Sequence, residues 1–279
     1  MSYGLRTRIY RILIYGVLIV LLAMCVIPIW IMLVNATRST AEIQQGISLI
    51  PGNNLQVNWN NLTGRGFAIT KGLFNSSFIS ISVTVITVYF SMMFAYAIHI
   101  YDFPYKKYLY GFVLLLVMVP TQVGVIGFFR YMSYLKLTNS FIPLILPAIA
   151  APGAVFFAKQ YLESAIIKDL IDAARIDGCS ELKIFHSIML PISKPGAFTM
   201  GIFAFVGAWN SFFTPFIMIS KMDMYTLPML VQTLRGDTYR TEYGSIYLGL
   251  AISIVPIIIV YAIFSKYIVH GIAMGAVKE

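Results

Sequence analysis

Charge is scarce in this chain. Of its 279 residues only 11% are Asp, Glu, Lys or Arg, against 59% hydrophobic residues, whereas soluble domains are roughly a quarter charged. With a mean hydropathy of +0.80, this excludes a water-soluble globule and points to an all-helical polytopic membrane protein. Acids are scarcer still within the apolar segments, which hold no Asp or Glu. Ion-coupled transporters and proton relays need intramembrane ionisable groups, so the energy for any transport has to come from elsewhere. The phosphate-cradling pattern G-x-x-x-x-G-K-[ST] is absent as well, so the chain is not itself an ATPase and no cofactor is expected on it. Neither G-x-S-x-G nor H-E-x-x-H occurs, and no carboxylates pair within the membrane, which leaves no catalytic residues to nominate. Cysteine and histidine are few and scattered: Cys25, Cys179, His99, His186 and His270 show no metal-ligand spacing, and no metal site is expected.

What is present is apolar runs. They fall at about 9–34, 74–100, 108–129, 141–158, 196–220 and 244–269, each near the roughly 20 residues that cross about 30 Å of hydrocarbon. Six crossings make a single transmembrane domain over 1–279. The first run is too long for the apolar core of a signal peptide and has no small-residue cleavage motif, so it reads as a retained helix. Arg6, Arg8 and Arg11 cluster at its start without an acid, which predicts a cytoplasmic N-terminus. An even number of crossings puts the C-terminus inside too, and about twelve of the 20 Lys and Arg then lie in the cytoplasm. The net charge of +9 therefore fits cytoplasmic loops and lipid headgroups rather than nucleic acid. Residues 35–73, Asn-rich with a Pro51-Gly52 turn signal, would be the large extracytoplasmic loop. Pro143, Pro147 and Pro152 predict a kinked or partly unwound fourth helix, tolerated where backbone is buried in protein or lines a cavity.

The longest polar interval in the second half of the chain lies at 162–195, and its heart reads DLIDAARIDGCSELKIFHSIMLPISKP from Asp169 to Pro195. Leu170, Ile171, Ala173, Ala174 and Ile176 among Asp169, Asp172, Arg175 and Asp177 suit a short amphipathic helix. Gly178 can adopt the positive φ that ends it, and Pro191 and Pro195 mark where the interval stops. Asp172-Ala173-Ala174, then Gly178 after three residues, then Ile188-Met189-Leu190-Pro191 after nine more, resembles the EAA loop of ABC importer permeases, with Asp172 in place of Glu. An amphipathic helix lying on the bilayer surface would share the same pattern.

The resemblance continues through Tyr101-Asp102-Phe103-Pro104, the stretch NSFIPLILP from Asn139 to Pro147, Phe156-Phe157, Trp209-Asn210, Thr226-Leu227-Pro228 and Gly275-Ala276-Val277-Lys278. These are similar to the second permease subunit of maltose-type sugar importers. The resemblance implies a type I ABC importer fold in the bacterial cytoplasmic membrane and a heterodimer with a second permease subunit. It further implies two ATPase subunits that carry the ATP and Mg, and an extracytoplasmic binding protein that delivers a sugar, an oligosaccharide or modified sugar. Asp172, Ala173, Ala174, Asp177, Gly178, Ile188, Leu190 and Pro191 would then form the coupling loop to the ATPase. The tail from Gly275 resembles one that reaches between the ATPase subunits, although it ends in Glu279 where the family often has Gly.

For substrate contact the candidates are Trp209, Asn210 and Phe213. A flat indole suits a sugar ring, and an amide offers both a donor and acceptors for hydroxyls. Trp209 packing within the bundle and Asn210 bonding to a neighbouring helix would account for the same residues. A channel or facilitator working without ATP, or an importer for a polyol or other small polar solute, remains an alternative reading.

Overall fold

The computed structural model describes residues 3–64, 69–166, 168–236 and 241–276, and every regular element among them is helical. The chain forms two compact units, Met1–Ile69 with Leu230–Val255 and Thr70–Met229 with Pro256–Glu279.

The first unit is built on α1 (Tyr3–Asn35). From Tyr10 onward this helix is apolar all round and almost wholly exposed, as a helix meeting lipid must be. The stretch expected to be one loop, 35–73, instead contains α2 (Thr40–Gln44) and α3 (Leu55–Gly64). Ser39 starts α2 with a reciprocal capping box to Glu42. Asn58 is the pin of the unit. It is 3% exposed, and its Nδ2 donates to the Ala36 and Arg38 carbonyls at 2.9 Å each, while Ser245 Oγ donates to its carbonyl at 3.1 Å. Gly244 lies so close that a Cβ would come within 2.5 Å of the Asn58 amide and the Arg38 carbonyl. One asparagine of this Asn-rich stretch, Asn58, therefore acts as a polar lock that orders the segment.

The second unit centres on α4 (Ile69–Ile100). Met92, Ala95 and Tyr96 of α4 are buried with Ala158 and Leu162 of α8 (Pro152–Ala165) and with Met200 of α12 (Lys194–Trp209). Gly196 is a requirement of this packing, because a Cβ there would lie 2.5 Å from the Tyr161 ring.

The run expected as one helix at 108–129 is broken. α5 (Lys106–Met118) gives way to a 3-10 turn at Thr121–Gly124 and then to α6 (Val125–Tyr134), with a bend of 83°. Pro120 is the cause: it has no N–H to continue the ladder and drives Val119 into an extended conformation, φ −81° and ψ 120°. The fourth run unwinds at its prolines. α7 (Ile142–Ile145) passes through a 3-10 turn to non-helical Ala150 and Ala151 before α8 resumes at Pro152.

The fifth run is shorter than expected. α12 stops at Trp209 after 16 residues, about 24 Å of helix, and the short α13 (Phe213–Met218) follows a break at Ser211 and Phe212. Among the described residues, four helices are long and apolar enough to cross a membrane, or up to six if each of two bent pairs counts as one span.

Candidate coupling loop and membrane cavity

The polar interval folds as α9 (Lys168–Ile176), α10 (Glu181–Ile184), a π turn at Phe185–Met189 and α11 (Leu190–Ile192). α9 is amphipathic in the expected register. Ile171 and Ala174 are buried against a cluster that includes Ile184, Phe185 and Met189, while Asp172, Ala173, Ile176 and Asp177 face outward. Gly178 takes φ +77°. Its N–H bonds to the Arg175 carbonyl and that of Cys179 to the Ala174 carbonyl, both at 3.0 Å, which is the Schellman closure of a helix C-terminus. Leu190 and Pro191 follow the π turn. Proline cannot donate to the Ser187 carbonyl, and the wider turn accommodates the missing bond. α11 then meets α12 across a sharp bend at Ser193, 81° between Glu181–Ile192 and Lys194–Trp209.

An ionic network that the motif reading did not single out braces this loop. Arg175 bonds to Asp172 at 2.9 Å and to Glu181 at 2.7 Å, and its guanidinium lies 5.5 Å from the centre of the Tyr101 ring. Glu181 also accepts hydrogen bonds from the hydroxyls of Tyr101 and Tyr96. The Arg175 guanidinium, with the Tyr101 hydroxyl, holds the Glu181 carboxyl below its ordinary value, and Arg175 is itself pushed up by the same bond. Desolvation and the adjacent Glu181 carboxylate push the Tyr101 hydroxyl up, so it remains a proton donor. Tyr101 opens the Tyr-Asp-Phe-Pro motif. The chemistry that ties this turn to the loop was therefore visible as two separate motifs, but their contact was not.

A second feature is a cavity of about 840 Å³ among α4, the 3-10 turn and α6, α7, and the α12–α13 break. Its wall includes Ser76, Gln122, Phe128, Ser211, Phe213 and Thr226. Thr226 is 4% exposed, and its hydroxyl has no hydrogen-bond partner among the described residues. Of the three residues nominated for substrate, only Phe213 lines this space. Trp209 is 2% exposed and stacks on Phe205 at 5.7 Å, and Asn210 is exposed at the end of α12, outside the cavity wall. A tryptophan in an apolar run does not reveal which face of the helix it occupies.

Two of the other motifs, the stretch from Asn139 to Pro147 and Thr226-Leu227-Pro228, contribute to this wall. Asn139, at φ 55°, accepts from the Ser220 and Lys221 amides. Asn75 donates to the Asp223 and Tyr225 carbonyls, and Ser76 accepts from the Leu227 amide at 2.8 Å. These bonds hold the Thr226-Leu227-Pro228 segment against α4. Of the terminal motif, Gly275 and Ala276 end α15 (Tyr243–Ala276), while Val277, Lys278 and Glu279 lie outside the described residues.

Membrane-length helices broken at prolines around a cavity, with an amphipathic helix set between two of them, suit a permease subunit. The chain belongs to the family of binding-protein-dependent transport system inner membrane components, whose profile matches residues 101–274. It is similar to the arabinooligosaccharides transport system permease protein AraQ of Halalkalibacterium halodurans, 40% identical over 73% of this chain and 72% of that protein. It is also similar to AraQ of Bacillus subtilis, 33% identical over 97% of this chain and 96% of that protein. The sn-glycerol-3-phosphate transport system permease protein UgpE of Escherichia coli is 26% identical, over 92% of this chain and 94% of that protein. In fold the chain matches a subunit of a bacterial ABC transporter involved in the import of the acidic polysaccharide alginate. The TM-score is 0.82 at 20% identity, covering 96% of this chain and 98% of that one. The fold is thus that of a type I ABC importer permease, and the chain is a multi-pass membrane subunit.

Proposed function

We propose that the chain is one of two permease subunits of an ATP-driven importer for a sugar, an oligosaccharide or modified sugar, delivered by an extracytoplasmic binding protein. The observation that carries the reading is the solvent face of the Asp169–Pro195 loop. Leu170, Ile176 and Leu182 are 43%, 88% and 67% exposed in a polar segment, beside exposed Asp172, Ala173 and Asp177. Apolar side chains set in a charged rim outside the hydrocarbon mark a protein-docking surface. Two ATPase subunits, which carry the ATP and Mg, are the partners this surface would meet, one on this chain and one on its permease partner. ATP binding would close the ATPases, pull on α9 and rock α12 through the 81° bend at Ser193, opening the cavity outward; hydrolysis would reset it. Both termini and the loop then lie in the cytoplasm, and the chain itself binds no cofactor and no metal.

The cargo reading draws on the arabinooligosaccharide relatives and on the mixed wall of the cavity. Phe213 and Phe128 offer ring faces, while Gln122, Ser211 and the unpaired Thr226 hydroxyl offer polar contacts for sugar hydroxyls. The test is uptake by the reconstituted complex against a panel of labelled pentose and hexose oligosaccharides, polyols and glycerol 3-phosphate. Saturable uptake confined to oligosaccharides supports the reading. Transport of the polyols or the phosphate ester alone contradicts it.

A further inference from the structure

In the second unit, which carries the coupling loop, α5 and α8, with Ile98 of α4 and Phe103, line an open pocket of about 420 Å³ whose wall includes Lys106, Lys107, Lys159 and Tyr110. Lys159 is held in place, with Nζ 4.5 Å from the centre of the Tyr110 ring and 2.6 Å from Glu163. Lys106 is tied to Asp102 and to the Tyr101 carbonyl, and Lys168 also approaches Asp102, at 3.7 Å. Lys107 is exposed and has no ion-pair partner among the described residues. Among the described residues, three lysines thus pair with two carboxylates, Lys106 and Lys168 with Asp102 and Lys159 with Glu163, and Lys107 stands outside both pairings. The Tyr110 hydroxyl is buried without a hydrogen-bond partner among the described residues, a donor left unused at the pocket wall.

Lys107 and Tyr108 also belong to an adjoining pocket of about 430 Å³ that continues along α5 past Gly111, Phe112 and Leu115. Gly111 leaves the floor open, since a Cβ there would meet nothing within 4 Å. From Lys107 to Leu115 the helix rises about 12 Å, the step from a phosphate to the upper acyl chain.

We propose that these two adjoining pockets bind one anionic phospholipid, its phosphate on Lys107 and Lys159 and an acyl chain along Tyr108, Gly111, Phe112 and Leu115. Surplus positive charge opening onto an apolar groove on one helix fits an amphiphile with an anionic head. A free phosphate leaves the groove empty, and a zwitterionic lipid adds an ammonium where cations are already in excess. The site stands beside the coupling loop, because Lys106 bonds to the Tyr101 carbonyl and Tyr101 bonds to Glu181.

The test is native mass spectrometry of the assembled complex with equal phosphatidylglycerol and phosphatidylcholine added. A lysine near an anionic headgroup is worth about fivefold in binding. The natural complex is expected to retain phosphatidylglycerol at least about fivefold over phosphatidylcholine, and Lys107→Gln with Lys159→Gln to bring the two near parity. Changing Lys136, after α6, and Lys221, after α13, to Gln should leave the preference unaltered. Equal retention by the natural complex, or an undiminished preference in the double variant, overturns the proposal. So does displacement by glycerol phosphate, which would mark a free-phosphate site, or a cross-link from Phe112→Cys to another subunit, which would show protein covering the groove. Should the double variant fail to assemble, quenching of Leu115→Trp in the otherwise natural chain by brominated phosphatidylglycerol, but not phosphatidylcholine, gives the same decision.

Discussion

Gly178 shows how much of the loop depends on one backbone conformation. At φ +77° it closes α9 at little steric cost, whereas a side chain there costs roughly 1 kcal/mol or more. Gly178→Ala should therefore lower the thermal midpoint of the detergent-solubilised complex by a few degrees while leaving assembly intact, as followed by differential scanning fluorimetry. Gly196→Leu should be far worse, because the Tyr161 ring already occupies the space a Cβ would need; loss of folded protein on gel filtration checks it. Glu181 gives a pH signature. Its carboxyl is held below the ordinary value by Arg175, so its contribution to the loop is complete above the unfolded value, roughly pH 4.3. That contribution is lost as pH falls through the depressed native value. Protease protection of the 172–182 segment should weaken on acidification in that window, and Glu181→Gln should be weakly protected already at neutral pH with a flatter profile.

At the scale of elements, the amphipathic helix α9 is legible in the sequence alone because its residues carry both signals needed, apolar spacing and a glycine stop. Its two faces make opposite predictions. Ile171→Asp places a charge in a site that is fully buried and should destabilise the fold by several kcal/mol, seen as loss of detergent-soluble complex. Ala173→Trp, on the exposed face, should leave the permease dimer intact and remove ATPase subunits from it in pull-down experiments. Other elements are hidden for physical reasons. The bend after Val119 turns on a single proline whose effect depends on what packs beside it, and helices with interior prolines such as Pro28 and Pro256 run on without a break. α3 has a weak apolar pattern and is ordered instead through Asn58, whose partners are distant in sequence.

At the scale of the whole molecule, six apolar runs and the scarcity of charge suffice for the class of fold, because hydrocarbon thickness constrains segment length so tightly. The substrate face is not legible in the same way. Helices exposed to lipid and to protein are both apolar, so Trp209 and Phe213 look alike in sequence and differ only in that one is buried and the other opens on the cavity. In the proposed mechanism the Asp169–Pro195 loop transmits ATPase closure to the membrane helices. The most direct measurement is ATPase activity and uptake of the same reconstituted complex, with binding protein and its sugar, for the natural chain and for Gly178→Pro and Asp172→Lys. Sugar-stimulated hydrolysis is expected in the natural complex, with stimulation and uptake both abolished in the variants while the subunits remain assembled. Uptake that proceeds without ATP and is indifferent to both substitutions would contradict it.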